Sequence, residues 1–306
     1  MSPEAGVLAT EMAAGPAGGG AVAARPAGFM RQSLRLRRTQ IGLALSALLI
    51  LVALLGRYVA PFGEGKSING GTPNVRHAPG TLLGTDFFGQ DIVSRFLYGG
   101  RSVLIQAVLA TILGVGLGGI LGMLAAYMRG RFDEILMRGL DVLLSFPQLL
   151  LSLVVIALFT PSATIVVITV GLTTVPRVAR VVRGAALQVV ERDFVAAADA
   201  LGESRLRVLM SEILPNVSGA LLVEASLRLT YSIGLMAGLA FLGFTSNLGV
   251  ANWGLMIQEN RGSLTIQPWG VLLPVAAIAL LTIGTGLVAD GLGRTIAGID
   301  RGKADV

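Results

Sequence analysis

Apolar residues along this chain fall into six blocks, at 41–60, 103–128, 140–159, 163–182, 217–244 and 271–290, separated by polar stretches rich in arginine. A helix needs roughly 20 apolar residues to cross the hydrocarbon core of a bilayer. The pattern therefore predicts an all-α membrane protein with six transmembrane helices. Pro147 and Pro274 fall inside two of the blocks, which membrane helices tolerate when neighbours satisfy the freed backbone groups. Two connections, 61–102 and 183–216, exceed the roughly 12–15 residues beyond which a loop usually carries function. The chain divides accordingly into a basic, disordered tail (1–38), a first helix with its long following loop (39–100), and a membrane domain (101–300) that contains the loop 183–216.

Both long connections carry helical patterning of their own. Ala196, Ala197 and Ala198 favour a short helix, and Gly202 suits the left-handed residue that ends one. Leu206, Leu209, Met210 and Ile213 recur at helical spacing, which predicts a second amphipathic helix stopped by Pro215. In the other loop Asp86, Asp91 and Arg95 are interleaved with Phe87, Phe88, Ile92, Val93 and Phe96. The segment 83–98 reads as an amphipathic helix at the membrane surface, serving as an extracytoplasmic gate or docking element. Inside the fifth block Glu224 and Arg228 stand four residues apart with the acid first, the favourable order for an ion pair on one helix face. Charge at that depth costs about 2.5–3.5 kcal/mol per residue on insertion scales, so neither side chain should face lipid. The pair either satisfies itself inside the bundle or lines a translocation path.

Charge then sets the orientation. Of the 24 basic residues, 17 lie in the tail, at the end of the fourth block (Arg177 and Arg180), in the connections after the second and fourth blocks, and after the sixth block; six lie on the opposite side. The basic side is expected to be cytoplasmic, which places both termini inside. Composition narrows the function classes further. Hydrophobic residues make up 53% and charged residues 14% of the chain, where a soluble domain carries about 25% charged residues. The pI of about 10.4 does not indicate nucleic acid, because the basic residues sit between apolar blocks and form no stripe on a soluble domain. With no cysteine and a single histidine, His77, neither a thiolate nor an imidazole cluster is available for a metal. The first 28 residues lack the basic-then-apolar order of a signal peptide. Residues 60–67 fit a relaxed phosphate-loop pattern. They follow a membrane helix where a strand is required, lack the first glycine, and lie outside, so they read as a polar exit loop. No other ATPase motif is present, and ATP hydrolysis would belong to another chain.

The loop 183–216 resembles the EAA motif of bacterial ABC-importer permeases. Ala197, Ala198, Gly202, Leu214 and Pro215 stand in register, with Ile213 just before Leu-Pro and Ala196 where the family usually has Glu. Further segments resemble the dipeptide, oligopeptide and nickel group of those permeases, the C-type subunit. Leu83-Gly84-Thr85-Asp86, Gly89, Asp91, Ser94-Arg95 and Tyr98-Gly99 follow its LGTDxxGRDxxSRxxYG signature, with Gln90 replacing Arg. Arg138, Asp141, Phe146 and Pro147 follow its MRxxDxxxxFP segment; Phe241-Leu242-Gly243, Trp253-Gly254, Met256, Pro268-Trp269 and Asp290-Gly291-Leu292 match in order. The resemblance implies a type I ABC-importer permease fold in the bacterial inner membrane. It implies a heterodimer with a homologous permease, two cytoplasmic ATPases holding ATP and magnesium, and an extracytoplasmic solute-binding protein. Ala196, Ala197, Ala198, Gly202, Ile213, Leu214 and Pro215 would couple the chain to an ATPase. No cofactor is expected on this chain and no covalent chemistry.

A secondary, ion-coupled transporter is the alternative. Such carriers need intramembrane carboxylates or histidines to hold the coupling ion, and here the candidates are Glu224 inside and Asp141 and Asp290 near the cytoplasmic ends.

Overall fold

A computed structural model describes residues 32–159, 162–244 and 251–296. The expectation of a disordered tail falls largely on residues outside that set. Nine helices of eight or more residues order the described chain: α1 (Arg37–Val59), α2 (Ile92–Met128), α3 (Gly130–Leu144), α4 (Gln148–Ala157), α5 (Ala163–Val190), α6 (Asp193–Ala200), α7 (Arg205–Phe241), α8 (Trp253–Asn260) and α9 (Trp269–Ile296).

Five of these, α1, α2, α5, α7 and α9, are long and apolar enough to cross a membrane. The predicted third span is not one helix. α3 and α4 meet at 84°, because the Pro147 ring excludes its predecessor Phe146 from helical conformation and removes a backbone donor. Counting that bent pair as a single crossing restores six. Two spans start well before their apolar blocks. α2 begins eleven residues earlier than predicted, at Ile92, and α7 runs unbroken through Pro215. Proline cannot donate to the carbonyl four residues back, and the turn just before it, Val208–Ile213, widens to π geometry. The expected stop at Pro215 is therefore a local loosening inside a helix about 55 Å long.

Small residues bring the spans together. α2 and α5 form the most extensive contact, along Gly114, Gly118 and Gly122. A Cβ on Gly122 would lie 2.5 Å from the Ala179 carbonyl oxygen, and one on Gly118 2.6 Å from Val178 Cβ. Such stripes let helix backbones approach closely in lipid. α1 packs on α9 and α2 through Thr39, Gly42, Ser46, Leu49, Ala53 and Gly56. That spacing of three and four is a narrow seam, and Ile41, Leu48, Leu51 and Leu55 on the rest of α1 are exposed, as a lipid-facing surface requires.

Two large apolar clusters result, with a small third of Leu140, Val175 and Ala179. One joins Val103, Ile156, Val170, Ile233, Trp253 and Leu281 in the middle of the bundle and towards α8. The other joins Met123, Val182, Val195, Val208, Ile213 and Val217 at the opposite end, where α3 and α6 lie and the arginines concentrate. These are called the cap end and the basic end below.

Candidate functional site

At the cap end, residues 61–91 form an ordered pad. Isolated bridges join Ser67 to Gln90 and Thr85 to Asp91. Lys66, the lysine of the phosphate-loop pattern, lies over the Phe62 ring at 5.7 Å. The predicted surface helix over 83–98 is replaced by an extended, turn-rich stretch as far as Asp91, whose carboxylate caps α2 by accepting from the Ser94 amide at 2.7 Å. The charged residues point inward. Asp86 accepts from the amides of Phe88 and Gln90 and from the Arg95 guanidinium, which also pairs with Glu259 of α8 at 2.6 Å. Asp86, Asp91 and Arg95 are buried, so they hold the pad to α2 and α8, and the exposed residues of the segment are Phe87 and Phe88. Sequence reasoning missed Glu259. Its signal was a lone acid in the otherwise apolar and amide-bearing helix Trp253–Asn260.

Trp253 is structural in the same way. Trp253 stacks on Phe96 with centroids 5.4 Å apart and donates to the Phe96 carbonyl at 2.9 Å. A Cβ on Gly100 would stand 2.4 Å from the Trp253 ring. Gln267 donates to the Leu83 carbonyl, closing the pad against the turn before α9.

At the basic end, α6 lies against α7 through Val195 and Ala198, which are buried with Val208, Leu209 and Ile213. It ends in a Schellman motif: the Glu203 amide donates to Ala198 and the Gly202 amide to Asp199, with Gly202 at φ +76°. Tyr127 at the end of α2 donates to the Asp199 carboxylate at 2.5 Å. Of the seven residues expected to couple, Ala196, Ala197, Gly202 and Pro215 are exposed, Leu214 is half-buried, and Ala198 and Ile213 face this chain's own core. The outward face is instead carried by Phe194, Ala197 and Leu201, the last 82% exposed.

Between the two ends, Glu224 and Arg228 pair at 2.9 Å within the membrane-spanning part of α7, both largely buried. The Arg228 guanidinium lies 5.2 Å from the Tyr231 ring centroid. Arg177 lies on α5, which packs against α7. The sequence counted Arg177 with the cytoplasmic side; it sits midway along α5. Two further arginines on α5 meet carboxylates near the basic end: Arg180 pairs with Asp141, and Arg183 makes a two-pronged contact with Asp133 at 2.5 Å.

The known proteins that resemble this chain are transporter components. Residues 118–297 match the family described as binding-protein-dependent transport system inner membrane component. A Brucella suis biovar 1 protein whose name makes it a permease of a peptide transport system is 35% identical over 265 residues, 86% of this chain and 88% of that one. GsiD of Shigella dysenteriae serotype 1, named a glutathione transport system permease protein, is 34% identical over 269 residues, 86% and 87% of the two chains. In fold, the chain matches one from the inward-facing MetNI methionine ABC transporter with a TM-score of 0.50 and 16% identity, over 65% of this chain and 96% of that.

Proposed function

Because the chain belongs to the binding-protein-dependent transport system inner-membrane components, and is a multi-pass permease subunit of a bacterial ABC importer, we propose that it forms half of a translocation path for peptide-like solutes. A second, homologous permease would complete the path, two ATPases would bind at the basic end, and a solute-binding protein would sit over the cap. In this reading the basic end and both termini are cytoplasmic, ATP and magnesium belong to the partner ATPases, and no bond is made or broken on this chain.

The observation that carries the reading is the two-sided build of α6. Its inner face is fused to α7 by Val195, Ala198, Val208 and Ile213, and its outer face presents Phe194, Ala197 and Leu201. Exposed apolar side chains beside Arg192, Arg205 and Arg207 suit a protein groove rather than lipid. Movement of a docked ATPase would pull α6 as a rigid piece, and the tether from Tyr127 would carry that pull to α2. The widened turn before Pro215 is where α7 would yield. Closure of the ATPases on ATP would open the path towards the cap, and hydrolysis would reset it. The peptide class follows from the names of the relatives. Against an ion-coupled carrier stands the use of Glu224, whose carboxylate is already engaged by Arg228. Copurification tests the docking: the ATPases should accompany the wild-type permease pair and be lost with Leu201→Glu, and full retention with both Leu201→Glu and Phe194→Glu would contradict it.

A further inference from the structure

The geometry points to a carboxylate-binding station inside the membrane, built from Arg177, Glu224 and Arg228, that receives the solute's negatively charged group. The inference rests on the permease reading and adds a chemical class to it.

Charge balance comes first. Arg180 and Arg183 of α5 each have an aspartate, whereas Arg177 forms no ion pair among the described residues. α5 packs against α7, whose carboxylate at this depth, Glu224, is already held by Arg228 at 2.9 Å. Two guanidinium groups therefore share one carboxylate, and one positive charge is left over midway along two spans. Ionised groups at that depth face a bundle interior or a water-filled cavity rather than lipid.

The open side of this cluster comes next. Arg177 is exposed, Tyr231 is 59% exposed beneath Arg228, and Gly234 and Gly238 further along α7 have nothing within 4 Å of where a Cβ would stand. In the most apolar stretch of α7 only 22% of residues are buried, against 56% in α5. α7 thus presents a face with a tyrosine and two glycines that this chain does not cover, beside the largely buried Arg228 guanidinium. A path between two permeases is the environment in which exposed guanidinium and phenol groups keep their hydrogen bonds.

Guanidinium forks match a carboxylate in two-pronged geometry. In the empty station Glu224 occupies Arg228 and keeps it from folding into lipid. An arriving carboxylate meets the unpaired Arg177 first and then competes with Glu224 for Arg228. That competition keeps binding weak enough for release, which any transport site requires.

The absence of native cysteine allows a test that needs no knowledge of the solute. Tyr231→Cys in the assembled complex is treated with a sulfonate-bearing and a trimethylammonium-bearing methanethiosulfonate of similar size, with and without ATP and vanadate. The sulfonate reagent should react roughly tenfold faster. Arg177→Gln strands no partner, so it should fold, and it should reduce that preference by about threefold or more, whereas Arg180→Gln should leave it unchanged. A preference that survives Arg177→Gln, a faster cationic reagent, or no reaction in any state would overturn the station. The same vesicles separate this from the parent reading. Charge preference without ATP-driven uptake would refute the importer and leave the station, and uptake without charge preference would refute the station alone.

Discussion

The Arg95 guanidinium on α2 and the Glu259 carboxylate on α8 lie 2.6 Å apart, both buried, with Asp86 bonded to the other edge of the same guanidinium. One cation thus serves two buried acids, and the two sides of the pair are unequal. Arg95→Met strands both carboxylates and should cost about 3–5 kcal/mol. Glu259→Gln leaves Arg95 its bond to Asp86 and should stay within about 1 kcal/mol of wild type. Thermal unfolding in detergent would rank them, and equal losses would contradict the shared-cation arrangement.

The same pocket predicts a pH dependence. Burial pushes the Glu259 carboxyl above the usual carboxylate range, with Arg95 opposing the shift. A carboxyl raised in the folded state favours folding most below its unfolded value, about 4.3, and that contribution is lost as the pH rises through the raised value. Wild type should therefore lose stability relative to Glu259→Gln as the pH is taken from about 4 to 8. Parallel melting curves for the two proteins would contradict this.

Gly122 packs against the Ala179 carbonyl, while Gly116 on the same helix has open space around it. Gly122→Leu should cost about 1–3 kcal/mol through overpacking, and Gly116→Leu should cost little. Membrane yield and melting temperature check the contrast, and equal tolerance would mean that the α2–α5 contact is looser than described.

The hydrophobic pattern located the spans well, because about twenty apolar residues admit few other folds in lipid. It misplaced their ends. Ser94 and Arg95 are too polar to join an apolar block, yet α2 includes them because protein, rather than lipid, surrounds its first turns. Asp86, Asp91 and Arg95 were legible as a group but not as an inward-facing one, since their spacing fits a surface helix equally well. Arg95 meets Glu259, far away in sequence, and carries Asp86 with it, while Asp91 turns in to cap α2 at Ser94. The Glu224–Arg228 pair was legible because both members lie on one helix; Arg177 was not, because its position depends on how α5 sits beside α7. The short helix at 193–200 and its glycine stop were read correctly from alanines and one glycine. Its inward and outward faces depended on packing against α7.

Orientation can be read with two substitutions in this cysteine-free chain. Ser67→Cys should label with an impermeant thiol reagent from outside the cell, and Ser204→Cys only after the membrane is opened. Labelling of both from the same face would overturn the assignment of the basic end to the cytoplasm.

At the end of α6, Gly202 sits at φ +76° with nothing within 4 Å of a Cβ. Gly202→Val therefore meets no clash but requires a left-handed valine, at a cost of about 1–2 kcal/mol. Leu201→Glu leaves the backbone untouched and changes the exposed face alone. Peptide-stimulated ATP hydrolysis should fall partly in the first and almost completely in the second, while both proteins reach the membrane. Full stimulation in Leu201→Glu would move the docking surface away from α6.

The central claim is that this chain moves solute when partner ATPases act on α6. The most direct measurement is uptake of labelled peptide into proteoliposomes holding both permeases and the ATPases, with the binding protein outside. Uptake should require ATP inside the vesicle and the binding protein outside it, and should fall to background with Leu201→Glu on this chain. Uptake that persists without ATP, or that proceeds at the wild-type rate in the Leu201→Glu complex, would contradict the account.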